Sequence, residues 1–247
     1  MICLGILGLV EGNFAAIWQG VPKGIPARGA LACLCAVISL VCGVGLFSRR
    51  AAATAARVLA AYLLLWMVLV KGRYLLLAPT VEVSYQSCGE TMVIVAGAWV
   101  LYAWFASDWD RRHLSFATGA GGVRIARVLF GLALLAFGLS HFAYLNLTAP
   151  LVPGWLPAHA AWAYFTGGAY LAAGMAVLIG VCGRLAAALA ALQMGMFTLL
   201  VWAPGMVAGH PGTHHLDEFV VSWTLTAAAW VVADSYRGTP WLAVRRR

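Results

Sequence analysis

The residues able to do chemistry gather in two stretches late in this sequence. Ser140-His141-Phe142, with Tyr144 behind it, supplies an imidazole and a phenol, and the Pro-rich stretch 152–159 places His159 between the indoles of Trp155 and Trp162. Residues 209–218 then bring His210, His214 and His215 up to Asp217 and Glu218. His214 and Glu218 are spaced i,i+4 and His215 and Glu218 i,i+3, so on a helix either imidazole shares a face with the carboxylate. Imidazole and carboxylate beside aromatic rings can bind a quinone headgroup and exchange its protons. The same groups suit a transition metal. A cationic rim of Lys23, Arg28, Lys71 and Arg73 can attract a small inorganic anion such as thiosulfate.

The elements that must hold these groups are membrane helices. The chain of 247 residues is 63% hydrophobic and only 10% charged, whereas about a quarter of a soluble domain is charged. A hydrocarbon core of about 30 Å needs about 20 apolar residues per helix, and eight such runs are expected at 2–18, 29–47, 52–70, 88–106, 123–146, 160–180, 183–204 and 216–234. Their continuity, without two-residue alternation, excludes a β-barrel. The net charge of +8 does not point to nucleic acid, because the arginines follow the membrane. One side holds Arg49, Arg50, Arg57, Arg111, Arg112, Arg124, Arg127, Arg184, Arg237 and Arg245 to Arg247, while the other holds only Lys23, Arg28, Lys71 and Arg73. This positive-inside bias puts both termini in the cytoplasm of a multi-pass protein of the bacterial inner membrane. No cleavable signal pattern is visible, and the short first run leaves open a true start upstream of Met1.

The chain also repeats itself. Val21-Pro22-Lys23-Gly24-Ile25-Pro26-Ala27 and Val152-Pro153-Gly154-Trp155-Leu156-Pro157-Ala158 share V-P-x-x-[I/L]-P-A at a separation of 131, Asn13-Phe14 echoes His141-Phe142, and Glu90 matches Glu218 at a separation of 128. The expected architecture is all-α: two parallel four-helix-bundle repeats. The first repeat covers 1–106 and is degenerate, 107–122 is a cytoplasmic linker with a flexible Gly-rich run, 123–234 is the second repeat, and 235–247 is a basic cytoplasmic tail. Six cysteines show no C-x-x-C and no zinc spacing. Cys88 alone is expected near the outer surface, and the others read as small apolar residues.

The second repeat resembles the DoxX/DoxD-like family of small four-helix membrane proteins. The likeness is carried by Ser140-His141-Phe142, by 152–157, by the W-x-x-F-T-G of Trp162 to Gly167, by the small-rich run 172–180, and by Glu218 opening the last helix. The first repeat departs from it, with Asn13, Lys23-Gly24 and Arg28 where the second has His141, Gly154-Trp155 and His159. The resemblance implies an integral membrane subunit of a redox-linked system that handles a quinone or a small sulfur compound. Its site would lie at the outer face of the second bundle: His141 and Glu218 as proton-exchanging groups, with Tyr144, Trp155, His159, Trp162 and His214 binding the headgroup. A quinone is the cofactor this reading favours, ahead of a metal ion. The expected partners are the lipid bilayer and other membrane or periplasmic subunits. Two alternatives remain open: a non-catalytic assembly subunit of a larger membrane complex, and metal handling at the His-rich loop.

Overall fold

The computed structural model of the chain describes residues 1–14, 21–22, 24–78, 80–207 and 213–244, and the side chains of all of these except 82, 83, 207 and 213–215. The described residues are helical throughout, apart from connecting turns and one isolated bridge between Val181 and Val244. In lipid this is what an apolar chain must do, since a helix satisfies its backbone polar groups within itself. Helix α1 spans Ile2–Glu11, α2 Arg28–Gly45 and α3 Ala52–Trp66, the last running on through a π-helical turn, Met67–Lys71, into Gly72–Leu77. Then come α4, Glu82–Phe105, and a short α5, Asp108–His113. The second half contains α6, Gly119–Ala143, α7, His159–Ile179, α8, Gly183–Phe197, and α9, Thr213–Asp234. Helix α8 also runs on through a π-helical turn, Thr198–Trp202, into Ala203–Val207.

Among the described residues seven helices are long and apolar enough to cross a membrane. The expected eighth, α1, has 10 helical residues and so reaches about 15 Å. The expected helix ends also move. The third span continues six residues past Lys71 because Tyr74 to Leu77 extend the apolar run, and the fourth begins at Glu82 rather than 88. Cys88, expected near the outer surface, is therefore buried inside α4 at 6% exposure.

Several elements recur at one spacing. The start of α3 and the start of α8, the two π-helical turns, and the starts of α2 and α7 each lie 131 positions apart. Ala27 and Ala158, also 131 apart, both adopt left-handed backbone at φ 53° and 56°. A non-glycine residue there costs on the order of 1 kcal/mol, and in each case it follows the second proline of the repeated motif and turns the chain into the next helix.

Helix α4 is the central element. It packs on α3, α6 and α9, and α6 packs as extensively on α7. That pair meets through glycine: a Cβ on Gly138 would lie 2.9 Å from the Gly167 carbonyl oxygen, and one on Gly174 2.8 Å from that of Gly131. Without a hydrophobic force between helices in lipid, such backbone-to-backbone approach is what holds them. Gly97 plays the same part between α4 and α9, where a Cβ would meet Ala228 at 2.8 Å.

The basic ends of the helices are tied by arginine. Arg127 on α6 donates to the Ser235 hydroxyl and carbonyl and lies 3.7 Å from the Tyr236 ring centre; Arg184 on α8 donates to the Thr239 carbonyl and stacks on Trp241. Between the halves, Ser107 caps α5 in a reciprocal capping box with Asp110, and Asp110 also accepts from Tyr102 and from Arg57 at 3.1 Å. The Gly-rich run 119–122, expected to be a flexible linker, is instead the first turn of α6. Gly122 sits so close to the Ala117 carbonyl that no side chain fits, and that carbonyl accepts from the buried Trp99 indole at 2.9 Å.

Two outcomes are expected. Gly167→Ala drives a methyl into His141 Cβ, 2.7 Å away, whereas Gly168 has open space beside it; thermal unfolding in detergent should show the first variant destabilised by about 1–3 kcal/mol and Gly168→Ala unchanged or slightly more stable. Burial pushes the Asp110 carboxyl up, but the bonds from Ser107, Tyr102 and Arg57 outweigh it and hold its pKa below the ordinary value. The resulting stability is present above the unfolded-state pKa and lost as pH falls through the lower folded value. Wild-type protein should thus lose stability below about pH 4, and Asp110→Asn, less stable at neutral pH, should lack that part of the acid dependence.

Candidate functional site

The π-helical turn at Met67–Lys71 carries α3 inward at the end of the molecule opposite the clamped arginines. A π turn inserts one residue into the helical ladder and re-aims the side chains after it, a device frequent at functional sites. Here it buries Lys71, 2% exposed, against the first turns of α4. The Lys71 ammonium donates to the Ser87 hydroxyl at 2.6 Å, and the Ser87 carbonyl in turn accepts from the Thr91 hydroxyl. Glu90, one turn along α4, lies in electrostatic reach of Lys71 and of Glu218 on α9. Glu11, at the end of α1, is in reach of Asp217. Carboxylates from α1, α4 and α9 and an ammonium from α3 therefore meet at one level, where the two halves join.

Lys71 was expected on an exposed cationic rim, and its burial removes it from there. Arg73 stays exposed, Lys23 lies outside the described residues, and Arg28 is engaged. Its guanidinium donates to Asn13 Oδ1 at 2.6 Å and lies 5.2 Å from the Phe14 ring centre, closing the first half's loop end. At the 131-residue spacing kept by the elements, the counterpart of Glu218 is Ser87, one turn before Glu90, so the equivalence of Glu90 and Glu218 is displaced by a turn.

The second π-helical turn faces different chemistry. Thr198, fully buried, shares hydrogen bonds with the Ser222 hydroxyl at 2.6 Å and the Thr226 hydroxyl at 3.2 Å, a neutral hydroxyl set between α8 and α9. One half thus carries charge behind its π turn and the other carries hydroxyls.

The expected site residues divide between two places. His141 is partly buried at the end of α6, and its Nδ1 donates to the Phe137 carbonyl at 2.8 Å, leaving Nε2 as the acceptor nitrogen. Its ring lies 5.7 Å from that of Tyr170 on α7, a buried phenol that also engages Gln193 of α8. Gln193 donates to the Thr166 carbonyl at 3.0 Å, so His141, Tyr170 and Gln193 string across three helices of the second bundle. Glu218 lies in electrostatic reach of Glu90. Tyr144 ends α6, its carbonyl accepting from Thr148, and His159 is partly buried in the first turn of α7. Trp155 is 72% exposed and Trp162 40%, the latter edge-on to Phe165. His214 lies in the first turn of α9 with its side chain outside the described set, as for His215, and His210 lies outside the described residues altogether. No group of three or more His, Cys, Asp or Glu among the described residues is arranged to hold a metal ion.

Ser87 and Tyr170 were not picked out as site residues in the sequence, and Lys71 only as one member of the exposed cationic rim. A lysine interrupting an apolar run that resumes as Tyr74-Leu75-Leu76-Leu77 is the signal that marked Lys71. Nothing in the spacing marked Ser87 or Tyr170, whose roles depend on which helix faces which.

Residues 130–233 match the model of a family described as a domain of unknown function (DUF8561). The match begins within α6, ends within α9 and covers less than half of the chain. No curated protein and no solved structure matches.

Removing one member of a buried ionic group costs about 3–5 kcal/mol, more than removing both partners. Lys71→Met should accordingly lower the thermal stability of the purified protein strongly, and adding Glu90→Gln should restore part of it. A double-mutant cycle of unfolding midpoints checks this, with additive effects showing that the two groups do not interact.

Proposed function

We propose that the chain is a tandem duplication of a four-helix membrane unit, lying in a bacterial cytoplasmic membrane with its arginine-rich end inward. The recurrence of π-helical turns, left-handed alanines and helix starts at one spacing supports the duplication. The family match, bounded by α6 and α9, supports treating the second half as a unit. Nine arginines among the described residues, gathered at one end, support the orientation.

Within that frame the protein serves a redox-linked membrane system, taking the headgroup of a quinone or small sulfur compound at its outer end. The observation that carries this reading is the buried Lys71 ammonium, bonded to Ser87, with Glu90 in reach of it and Glu218 in reach of Glu90. Ionisable groups at membrane depth are costly and mark ligand or proton pathways. An ammonium and a hydroxyl are donors for a carbonyl oxygen, and neighbouring carboxylates can accept or return the protons that accompany its redox change. Electrons would come from a partner subunit or from the sulfur compound itself. His141, with Tyr144, His159, Trp162, Trp155 and His214 around the same outer rim, is a second proton-exchanging position, and the likeness of these residues to the DoxX-like family supports the redox context.

A second reading, a non-catalytic assembly subunit, is favoured by the exposed apolar faces of α2, α7 and α9, where Val41, Phe165 and Trp230 are all more than half exposed.

Protein purified in nanodiscs formed with native lipid should retain a stoichiometric quinone that Lys71→Met lowers about tenfold, a loss of about 1.4 kcal/mol, with a smaller effect from His141→Ala. Absence of bound quinone in wild type, or retention unchanged in Lys71→Met, overturns the headgroup site and leaves the assembly reading.

A further inference from the structure

Burial sorts the crossing between the halves into two faces. Asp110, 1% exposed, Ala117 and the half-buried Leu114 point into the bundle, where the bonds to Arg57, Tyr102 and Trp99 hold the segment down. Trp109, Arg112, His113 and Phe116 point out, with Arg111 exposed beside them. Trp109 is 51% exposed and Phe116 65%. The indole is fixed where it stands: the Arg57 guanidinium lies 5.6 Å from its ring centre, and the His113 ring stacks on it at 4.6 Å. Residues 107–124 hold Asp108, Asp110, Arg111, Arg112 and Arg124. With Asp110 turned inward onto Arg57, the outward side carries three guanidinium groups against the one carboxylate of Asp108, which pairs with Arg111 at 3.4 Å.

Neither water nor hydrocarbon suits such a face. Water leaves two aromatic rings uncovered, and hydrocarbon strands the guanidinium groups. The headgroup layer offers acyl carbon at its inner edge and phosphate at its outer edge, and stretches that mix aromatic and cationic side chains settle there. The crossing also lies at that level. It joins the end of one membrane-spanning helix, α4, to the start of another, α6, and Trp104 and Phe105 stand half-exposed at the end of α4 directly before it. Guanidinium groups bind phosphate with directed pairs of hydrogen bonds, and basic residues at the cytoplasmic surface are drawn to anionic lipid. We infer that α5 and the turn after it form a foot in the headgroup layer of the cytoplasmic leaflet. Trp109 and Phe116 enter its apolar edge, and Arg111 and Arg112 bind the phosphates of anionic phospholipids. The identity of the leaflet rests on the orientation proposed above; the contact with headgroups does not, and neither depends on the site at Lys71.

Hydrogen exchange of the whole chain in nanodiscs of phosphatidylglycerol or of phosphatidylcholine tests it. Both faces of such a disc carry the same lipid, so the outcome does not depend on which end faces inward. Backbone amides of 109–117 should exchange about tenfold more slowly in phosphatidylglycerol, the preference expected of two arginines at an anionic surface. Arg111→Gln with Arg112→Gln should abolish the difference while leaving thermal unfolding in lipid-free detergent nearly unchanged, since both side chains are exposed. Phe116→Ser should speed exchange of the segment in both lipids. Arg237→Gln, at the same end beyond α9, should leave the difference at 109–117 intact. Equal exchange in the two lipids by wild type, or loss of the difference in Arg237→Gln to the same extent, overturns the proposal. Protection that is equal in both lipids and disappears only when a co-purified subunit is stripped away assigns the face to a protein, and overturns it likewise. Bound quinone is extracted and measured from the same discs, so failure of the lipid contact and failure of the site at Lys71 are distinguishable.

Discussion

Everything in this molecule is arranged around the inability of lipid to solvate a polar atom. Backbone groups meet that constraint by forming helices, and helices then associate by whatever brings them close, since apolar side chains gain nothing by leaving hydrocarbon for protein. Glycine supplies the closeness here. The Gly131–Gly174 and Gly138–Gly167 contacts bring two backbones together at two levels, and Gly97 lets α4 lie against α9. With the frame that tight, a lysine side chain can be held inside it and given a hydroxyl to bond. The ion site depends on close packing around α4.

The two halves share this frame and use it differently. Both turn into their second helix through a left-handed alanine, and both widen the third helix by a π turn. Behind the first turn stands an ammonium with carboxylates in reach, and behind the second a set of neutral hydroxyls that satisfy one another. Likewise Arg28 and Asn13 close one loop end by direct contact; at the 131-residue spacing their counterparts are His159 and Tyr144, so the expected match of Asn13 with His141 is displaced as that of Glu90 with Glu218 is.

Helices, and their number to within one among the described residues, were legible in hydropathy, because it depends on the membrane alone. The two left-handed alanines follow directly on the double-proline motif, whose prolines fix backbone angles. Helix ends were less legible. Lys71 looked like the end of a span because a charge was taken to mean water, yet a π turn and Ser87 gave it a place inside. The glycines at 119–122 looked like a hinge because glycine is permissive, but Gly122 is there for want of space beside the Ala117 carbonyl. The pairing of His141 with Tyr170, and of Glu218 with the Lys71 group, turns on rotations of helices about their axes. Hydrophobic pattern gives little guidance there, because every face of these helices is apolar.

The capped segment between the halves bears on what kind of machine this can be. Carriers built from like-oriented repeats work by swinging one bundle against the other about a compliant hinge. Here Ser107 and Asp110 lock the crossing, Arg57 and Tyr102 pin it to the first bundle, and Trp99 fastens the following turn to α4. Swinging would break all of these at once, while α4 is wedged against helices of both bundles. The crossing between the two halves is therefore stiff, fastened at its start by the Ser107–Asp110 cap and at its end by the bond from Trp99 to the Ala117 carbonyl.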